Sequence, residues 1–361
     1  MAGARLHALT LAALAGLAGL SIVRTSPGLR SGLERPSMGA QTRGRVARPV
    51  RCRGWFDNLV TSISTMGSKK VLVFRSAGAM IPKKQSQLKG GEDAFFMSRL
   101  GGDAGVGDTS FLVQYSADGM NKDKGKQGKV VARLEAATVL GVADGVGSWS
   151  QYKIDPGLYS KNLMKNTALA ALEISKKRAA QGSAMELLSL GHSQTKLKGS
   201  TTTTVACLAG NTLSAATIGD TALVLLRNGK IFYRSPTQEF EFDTPFQLAD
   251  TKMSDGYGVF CEPEEALEFS VRDIRPGDVL VMASDGLFDN VHEYEIEQIV
   301  QDKIKNGEGA DAIAQELLER ARIHSLDPEF VSPWAQEKSQ TESGFIGGTL
   351  KKLGVRMQIG G

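Results

Sequence analysis

Residues 138–145 read Thr-Val-Leu-Gly-Val-Ala-Asp-Gly, and residues 279–286 read Val-Leu-Val-Met-Ala-Ser-Asp-Gly. Each is a short run of apolar, strand-favouring residues that breaks at an Asp-Gly pair. Such a run predicts a buried strand, and the glycine permits a sharp turn and close backbone approach. The aspartate then stands at the strand end, rigidly aimed and clear of the core. Taken singly, an Asp-Gly after a strand is a turn. Two of them, with Gly91-Glu92-Asp93-Ala94 upstream, supply carboxylates suited to hard divalent cations.

Around these stretches the chain reads as strand-rich from about Lys69. Val71–Phe74 predicts a first short strand, and Thr201–Leu208 a strand buried on both faces. Leu213–Ile218, a turn at Gly219-Asp220, Ala222–Leu226, a turn at Asn228-Gly229 and Ile231–Arg234 together predict a meander. Apolar residues at spacings of three and four predict helices over 158–179, 293–305 and 309–323. Residues 117–129 are a polar Lys/Gly-rich loop. Antiparallel strands with helices grouped between them predict an α+β fold, a layered sandwich rather than a doubly wound parallel sheet.

The 361 residues are 41% hydrophobic and 23% charged, an ordinary globular balance. The net charge of +4 is unevenly spread. Residues 1–56 hold nine arginines, no lysine and one acid (Glu34), a charge of +8 that leaves −4 for the rest. An acidic body argues against nucleic acid as the partner. Ala8–Val23 is apolar but short for a membrane span, and an Arg/Ser/Gly/Pro-rich stretch follows it to about Arg53. Residues 1–60 therefore read as a two-part targeting leader to an organelle. A secretory signal and an N-terminal anchor are the competing readings. No other stretch reaches transmembrane length, so a mature protein without a membrane span is expected. Three cysteines, Cys52, Cys207 and Cys261, form neither a disulfide framework nor a zinc pair. Cys207 reads as a small buried hydrophobe.

Five motifs occur in a fixed order: Gly91-Glu92-Asp93-Ala94, Gly141-Val-Ala-Asp144-Gly145-Val146-Gly147, Gly199-Ser-Thr-Thr202, Ile218-Gly-Asp220-Thr221 and Ser284-Asp285-Gly-Leu-Phe-Asp289-Asn290. This ordered set resembles the metal-dependent PP2C-type (PPM) serine/threonine phosphatases. It is most similar to their organellar branch, the group of the chloroplast photosystem II core phosphatase and of the mitochondrial T-cell activation phosphatases. Thr244–Leu248 and Asp327–Ala335 look most like the chloroplast member. The resemblance runs from residue 68 to the C-terminus. It implies a four-layer α-β-β-α sandwich of two antiparallel sheets and a protein substrate carrying phosphoserine or phosphothreonine. It also implies two Mg²⁺ or Mn²⁺ ions. Asp144 would bridge them, Glu92 and the Gly145 carbonyl would hold one, and Asp285 the other, with Asp144 and Asp285 the catalytic pair. Asp93, Asp289 and Asn290 would support these ligands from behind. Asp220 reads as a turn residue between hairpin strands, with a metal role the minority reading. Lys89, three residues before Glu92, is placed to meet the substrate phosphate, against the plain reading of a solvated lysine. A chloroplast address is favoured, with the mitochondrion as the alternative.

The chain departs from the family pattern twice. Many members carry a histidine two residues after the bridging aspartate; Val146 stands there, which leaves protonation of the leaving serine to a metal-bound water. The family's closing Gly-Gly-x-x-Asp-Asp strand is missing after Gly360-Gly361, as though the domain were cut at its C-terminus. That loss motivates an alternative reading as an inactive phosphoprotein-binding relative; a small-molecule phosphoester hydrolase is a second. Other catalytic classes lack their motifs. No GxSxG elbow is present, and Gly119–Lys126 has neither the spacing nor the Ser/Thr of a phosphate loop. Oligomeric state and regulation are not set by the sequence.

Overall fold

The computed structural model describes residues 56–66, 71–81, 91–99, 110–113, 130–177, 183–254 and 258–341. Residues 1–55 of the stretch 1–60 read as a leader, the loop expected at 117–129, Lys89 and the C-terminal residues 342–361 lie outside them.

Fifteen strands follow in chain order: β1 (Phe56–Met66), β2 (Val71–Ile81), β3 (Ala94–Ser98), β4 (Ser110–Val113), β5 (Val130–Ala137), β6 (Val139–Gly145), β7 (Ser200–Ala209), β8 (Thr212–Ile218), β9 (Ala222–Arg227), β10 (Lys230–Arg234), β11 (Glu239–Glu241), β12 (Thr244–Ala249), β13 (Val259–Cys261), β14 (Leu267–Val271) and β15 (Val279–Ala283). The helices are α1 (Gly157–Lys177), α2 (Ala184–Ser193), α3 (Asp285–Phe288), α4 (Glu293–Lys305) and α5 (Ala310–Leu326); residues 333–341 are also helical. One sheet runs β10-β9-β15-β1-β2-β5. The other runs β11-β12-β7-β6-β3-β4, with β8 between β7 and β14 and β13 beside β12. The pairings are antiparallel except for the short β12–β13 pair.

The strand period of two sorts side chains into layers. On β15, Leu280 and Met282 face the other sheet, while Val279, Val281 and Ala283 face α4 and α5. On β6, Leu140 and Val142 face the inter-sheet core, whereas Val139 and Ala143 pack with Tyr159, Leu163 and Met164 of α1. Gly141 shares that second row by parity, and there is no room for a side chain, since a Cβ there would fall 2.2 Å from the Phe96 ring. Three apolar layers result, one between the sheets and one under each helical layer. The fold is the expected α+β sandwich of two sheets flanked by helices.

Two expectations change. The first strand is not Val71–Phe74 but β1, upstream of residue 68 and reaching into the stretch read as leader. β1 is central, paired along its length with β2 and over Asn58–Ser62 with β15. Its buried row mixes Leu59 and Ile63 with Thr61, whose hydroxyl bonds Ser76 Oγ at 3.0 Å. That satisfied hydroxyl makes the segment look polar in sequence. The second change concerns the meander. β8 and β9 are not hairpin partners; β8 belongs to one sheet and β9 to the other. The Gly219–Thr221 turn is a crossover between sheets, with Gly219 at φ 85°, and Asp220 stands at the sheet ends.

Candidate active site

The Gly91–Asp93 segment is tied down by its backbone. The Glu92 carbonyl accepts the Gly145 N–H at 3.1 Å and the Ser160 hydroxyl of α1. The Gly91 carbonyl accepts Lys161 Nζ at 2.6 Å. Burial pulls the Lys161 ammonium below its usual range, opposed by Asp155, Asp93 and Glu92. Asp93 is fully buried, whereas Glu92 is only half-buried. A Cβ on Gly145 would lie 2.2 Å from the Pro156 carbonyl oxygen and 2.8 Å from that of Glu92. No side chain fits there, because both neighbours are backbone. The Glu92 carboxylate stands next to this loop, with Oε2 3.4 Å from where a Gly147 Cβ would be.

Asp144, the last but one residue of β6, lies on the row that carries Leu140 and Val142, so it emerges at the rim of the inter-sheet core. It lies directly opposite Thr202 of β7, and Thr201 Oγ1 donates to the Asp144 carbonyl at 2.5 Å. Thr202 in turn hydrogen-bonds the Asp220 carboxyl, with Thr221 Oγ1 at 2.7 Å. Burial, and next the charge of Asp285, push Asp220 up to about 8. Burial, then Asp285 and Asp220, push Asp289 well above the carboxylate range. Thr202 thus joins Asp144 to an acidic group formed from β15–α3 and the β8–β9 crossover.

The loop carrying Asp285 is braced from within. The Asp289 N–H donates to the Asp285 carbonyl at 2.8 Å, and Asn290 Nδ2 donates to the Gly286 carbonyl at 2.9 Å. His324 Nδ1 meets the Asn290 carbonyl at 2.7 Å.

Among the described residues no three His, Cys, Asp or Glu side chains already converge into a metal cage. The Glu92 segment and Asp144 are neighbours through the Gly145 N–H to Glu92 carbonyl bond; Asp220, Asp285 and Asp289 form an electrostatically coupled group, reached from Asp144 through Thr202. The donor chemistry fits Mg²⁺ or Mn²⁺, since every candidate ligand is oxygen and the carboxylates are half-buried. Crowding that raises Asp220 and Asp289 is also what a cation relieves.

Asp220 is the residue whose reading changes most. It is a member of the acidic group rather than a plain hairpin turn, and its Ile-Gly-Asp-Thr motif was the only signal. Ser160 and Lys161, which anchor the Glu92 segment, carried no sequence signal, because their partners are main-chain atoms about seventy residues away. Cys207 and Cys261 are buried, and burial pushes each thiol up to about 12, leaving them inert. Among the described residues no helix is long and apolar enough to cross a membrane.

A two-sheet α+β sandwich with carboxylates near the ends of β6 and β15 belongs to a class of layered folds whose oxygen donors suit divalent cations. The comparisons make that class specific. The protein phosphatase 2C family model matches residues 248–324. The protein phosphatase PTC7 homolog of Danio rerio is 32% identical over 238 residues, covering 63% of this chain and 79% of that protein. Probable protein phosphatase 2C 26 of Arabidopsis thaliana is 34% identical over 258 residues, 71% of this chain and 70% of that one. The X-ray structure of the photosystem II phosphatase PBCP superposes with a TM-score of 0.55 at 30% identity, covering 74% of this chain and 87% of that one. The chain belongs to the PP2C family and is a protein serine/threonine phosphatase.

Proposed function

We propose that Glu92, Asp144 and Asp285, with the Gly145 carbonyl, hold two Mg²⁺ or Mn²⁺ ions, and that the protein hydrolyses phosphoserine and phosphothreonine in an organellar phosphoprotein. The link from Asp144 through Thr202 to Asp220 and Asp285 carries this reading, because it brings strand ends of both sheets to one acidic edge. When bound, such a cation pair lowers the pKa of a water and neutralises phosphate charge. The chain's own part is positional. Lys161 and Ser160 fix the Glu92 segment, Asp93 supports it from the buried side, and Asn290 shapes the loop after Asp285. The described histidines have other partners: His192 bonds Tyr159 and Glu262, His292 the Val331 carbonyl, and His324 the Asn290 carbonyl, where it braces the loop after Asp285. The Arg-rich leader and the likeness to the photosystem II phosphatase favour a chloroplast address, with the mitochondrion as the alternative.

The test is turnover of phosphoserine and phosphothreonine peptides by the full chain after chelation. Activity should return with Mn²⁺ or Mg²⁺, and Asp144→Asn should lower it about a hundredfold or more. Equal turnover by the chelated enzyme, or a preference for sugar phosphates over phosphopeptides, overturns the assignment.

A further inference from the structure

A cleft of about 380 Å³ opens beside the acidic group, lined by Arg234, Asp289, Glu293, Tyr294, Trp334 and Glu337 among others. It lies at the small end of ligand pockets, which run from roughly 300 to 1,000 Å³, and has room for one long side chain. The Asp327–Ala335 stretch builds one wall. Its Phe330 ring stacks on His324 with centroids 3.7 Å apart, and the Trp334 N–H donates to the Asp289 carbonyl at 3.3 Å. The Trp334 indole N–H reaches Asp243 Oδ1 at 3.2 Å, and its ring leans on Phe242. Trp334 is therefore held in place before any ligand arrives.

The cleft's charge is lopsided. Arg234 is already committed, with Nη1 on Glu293 Oε1 at 3.1 Å and its guanidinium over the Phe288 ring at 4.8 Å. Glu337 stands on the wall, with Glu239 close enough to interact with it. The chain's own Lys338 already places its ammonium over the Trp334 ring, 4.9 Å from the centroid. An aromatic face with acids around it is a site for an organic cation.

We propose that this cleft takes the side chain of a lysine or arginine flanking the phosphorylated residue of the protein substrate. The proposal rests on the phosphatase reading above. Asp289 belongs both to the cleft wall and to the acidic group around Asp285, so a side chain seated there lies near the phosphate on the same polypeptide. Lys338 occupies the Trp334 face in the free enzyme and gives way to the incoming cation.

The experiment compares kcat/KM of the full chain with Mn²⁺ on phosphopeptides that differ only in carrying Lys, Ala or Glu at each flanking position. At one position Lys should be preferred over Ala by about tenfold, equivalent to about 1.4 kcal/mol. Glu337→Gln should reduce that ratio to about twofold, and Lys338→Ala, which removes the internal competitor, should raise it. The Ala peptide is the internal reference for each variant, so loss of folded enzyme does not alter the ratio. A flat Lys/Ala ratio at every position, or a preference for Glu, overturns the cleft assignment while turnover of the Ala peptide leaves the phosphatase reading standing. No turnover of any peptide with Mn²⁺ overturns both.

Discussion

Replacing Gly145 by alanine tests whether the backbone of the β6 turn holds the site in register. The new Cβ would sit 2.2 Å from the Pro156 carbonyl oxygen and 2.8 Å from that of Glu92, where ordinary contact begins at 3.4 Å. Relief requires the Pro156 carbonyl to retreat by about 1.2 Å and the Glu92 carbonyl by about 0.6 Å. Both are main chain, so neither can swing away as a side-chain tip would. The Glu92 carbonyl is also the acceptor for the Gly145 N–H and the Ser160 hydroxyl, so its movement carries the Glu92 carboxylate with it. Overpacking of this kind costs about 1–3 kcal/mol of stability. A misplacement on the order of 1 Å at a catalytic group costs about a hundredfold in rate. Gly141→Ala is the control. Its Cβ would meet the Phe96 ring at 2.2 Å and Met164 Sδ at 3.1 Å, away from the Glu92 segment. Both variants should lower Tm by similar amounts. Only Gly145→Ala should lower kcat/KM by about a hundredfold at a temperature where both are folded, with a weakened Mn²⁺ dependence. A folded Gly145→Ala enzyme with wild-type kcat/KM and metal affinity refutes the reasoning.

Deleting residues up to 66 removes β1 from between β2 and β15, and the product should be insoluble or unfolded by circular dichroism; a chain starting at Gly67 that melts cooperatively would contradict the central placement. Asp278 is buried and receives Arg227 Nε at 2.8 Å, Arg227 Nη2 at 2.7 Å and the Arg275 N–H at 2.8 Å. Asp278→Ala should cost about 3 kcal/mol in chemical denaturation, and a loss under about 1 kcal/mol would show the pair to be solvent-screened. Burial holds His192, between Tyr159 and Glu262, below its ordinary pKa of 6.5. Above 6.5 folded and unfolded chains are both neutral there. As pH falls through 6.5 the unfolded chain takes up a proton that the folded chain refuses, so stability should fall until the folded pKa is reached. Lys196, Asp250 and Glu262 also act on this ring. Tm measured against pH should decline more steeply for the wild type than for His192→Gln, and equal slopes would remove His192 as the cause.

The parts of this protein that sequence alone determined are those set by local pattern. The apolar runs ending at Asp144 and Asp285 predicted β6 and β15, because a buried strand needs little beyond its own side chains to announce itself. Asn228-Gly229 marked the β9–β10 hairpin, and the three- and four-residue spacings marked α1, α4 and α5 within a few residues. The ordered motifs were enough to find the family. Tertiary structure decided what depends on distant partners. β1 is a central strand because Thr61 finds Ser76, β2 and β15, none of which its own residues reveal. β8 and β9 look like hairpin partners, yet pairing with β14 and β15 sends them to different sheets. Asp220 joins the acidic group because that crossover carries it to Thr202 and Asp285. Electrostatic coupling falls with distance through space, not along the chain. A carboxylate sixty-five residues from its neighbour therefore shows its role only once the sheets have packed.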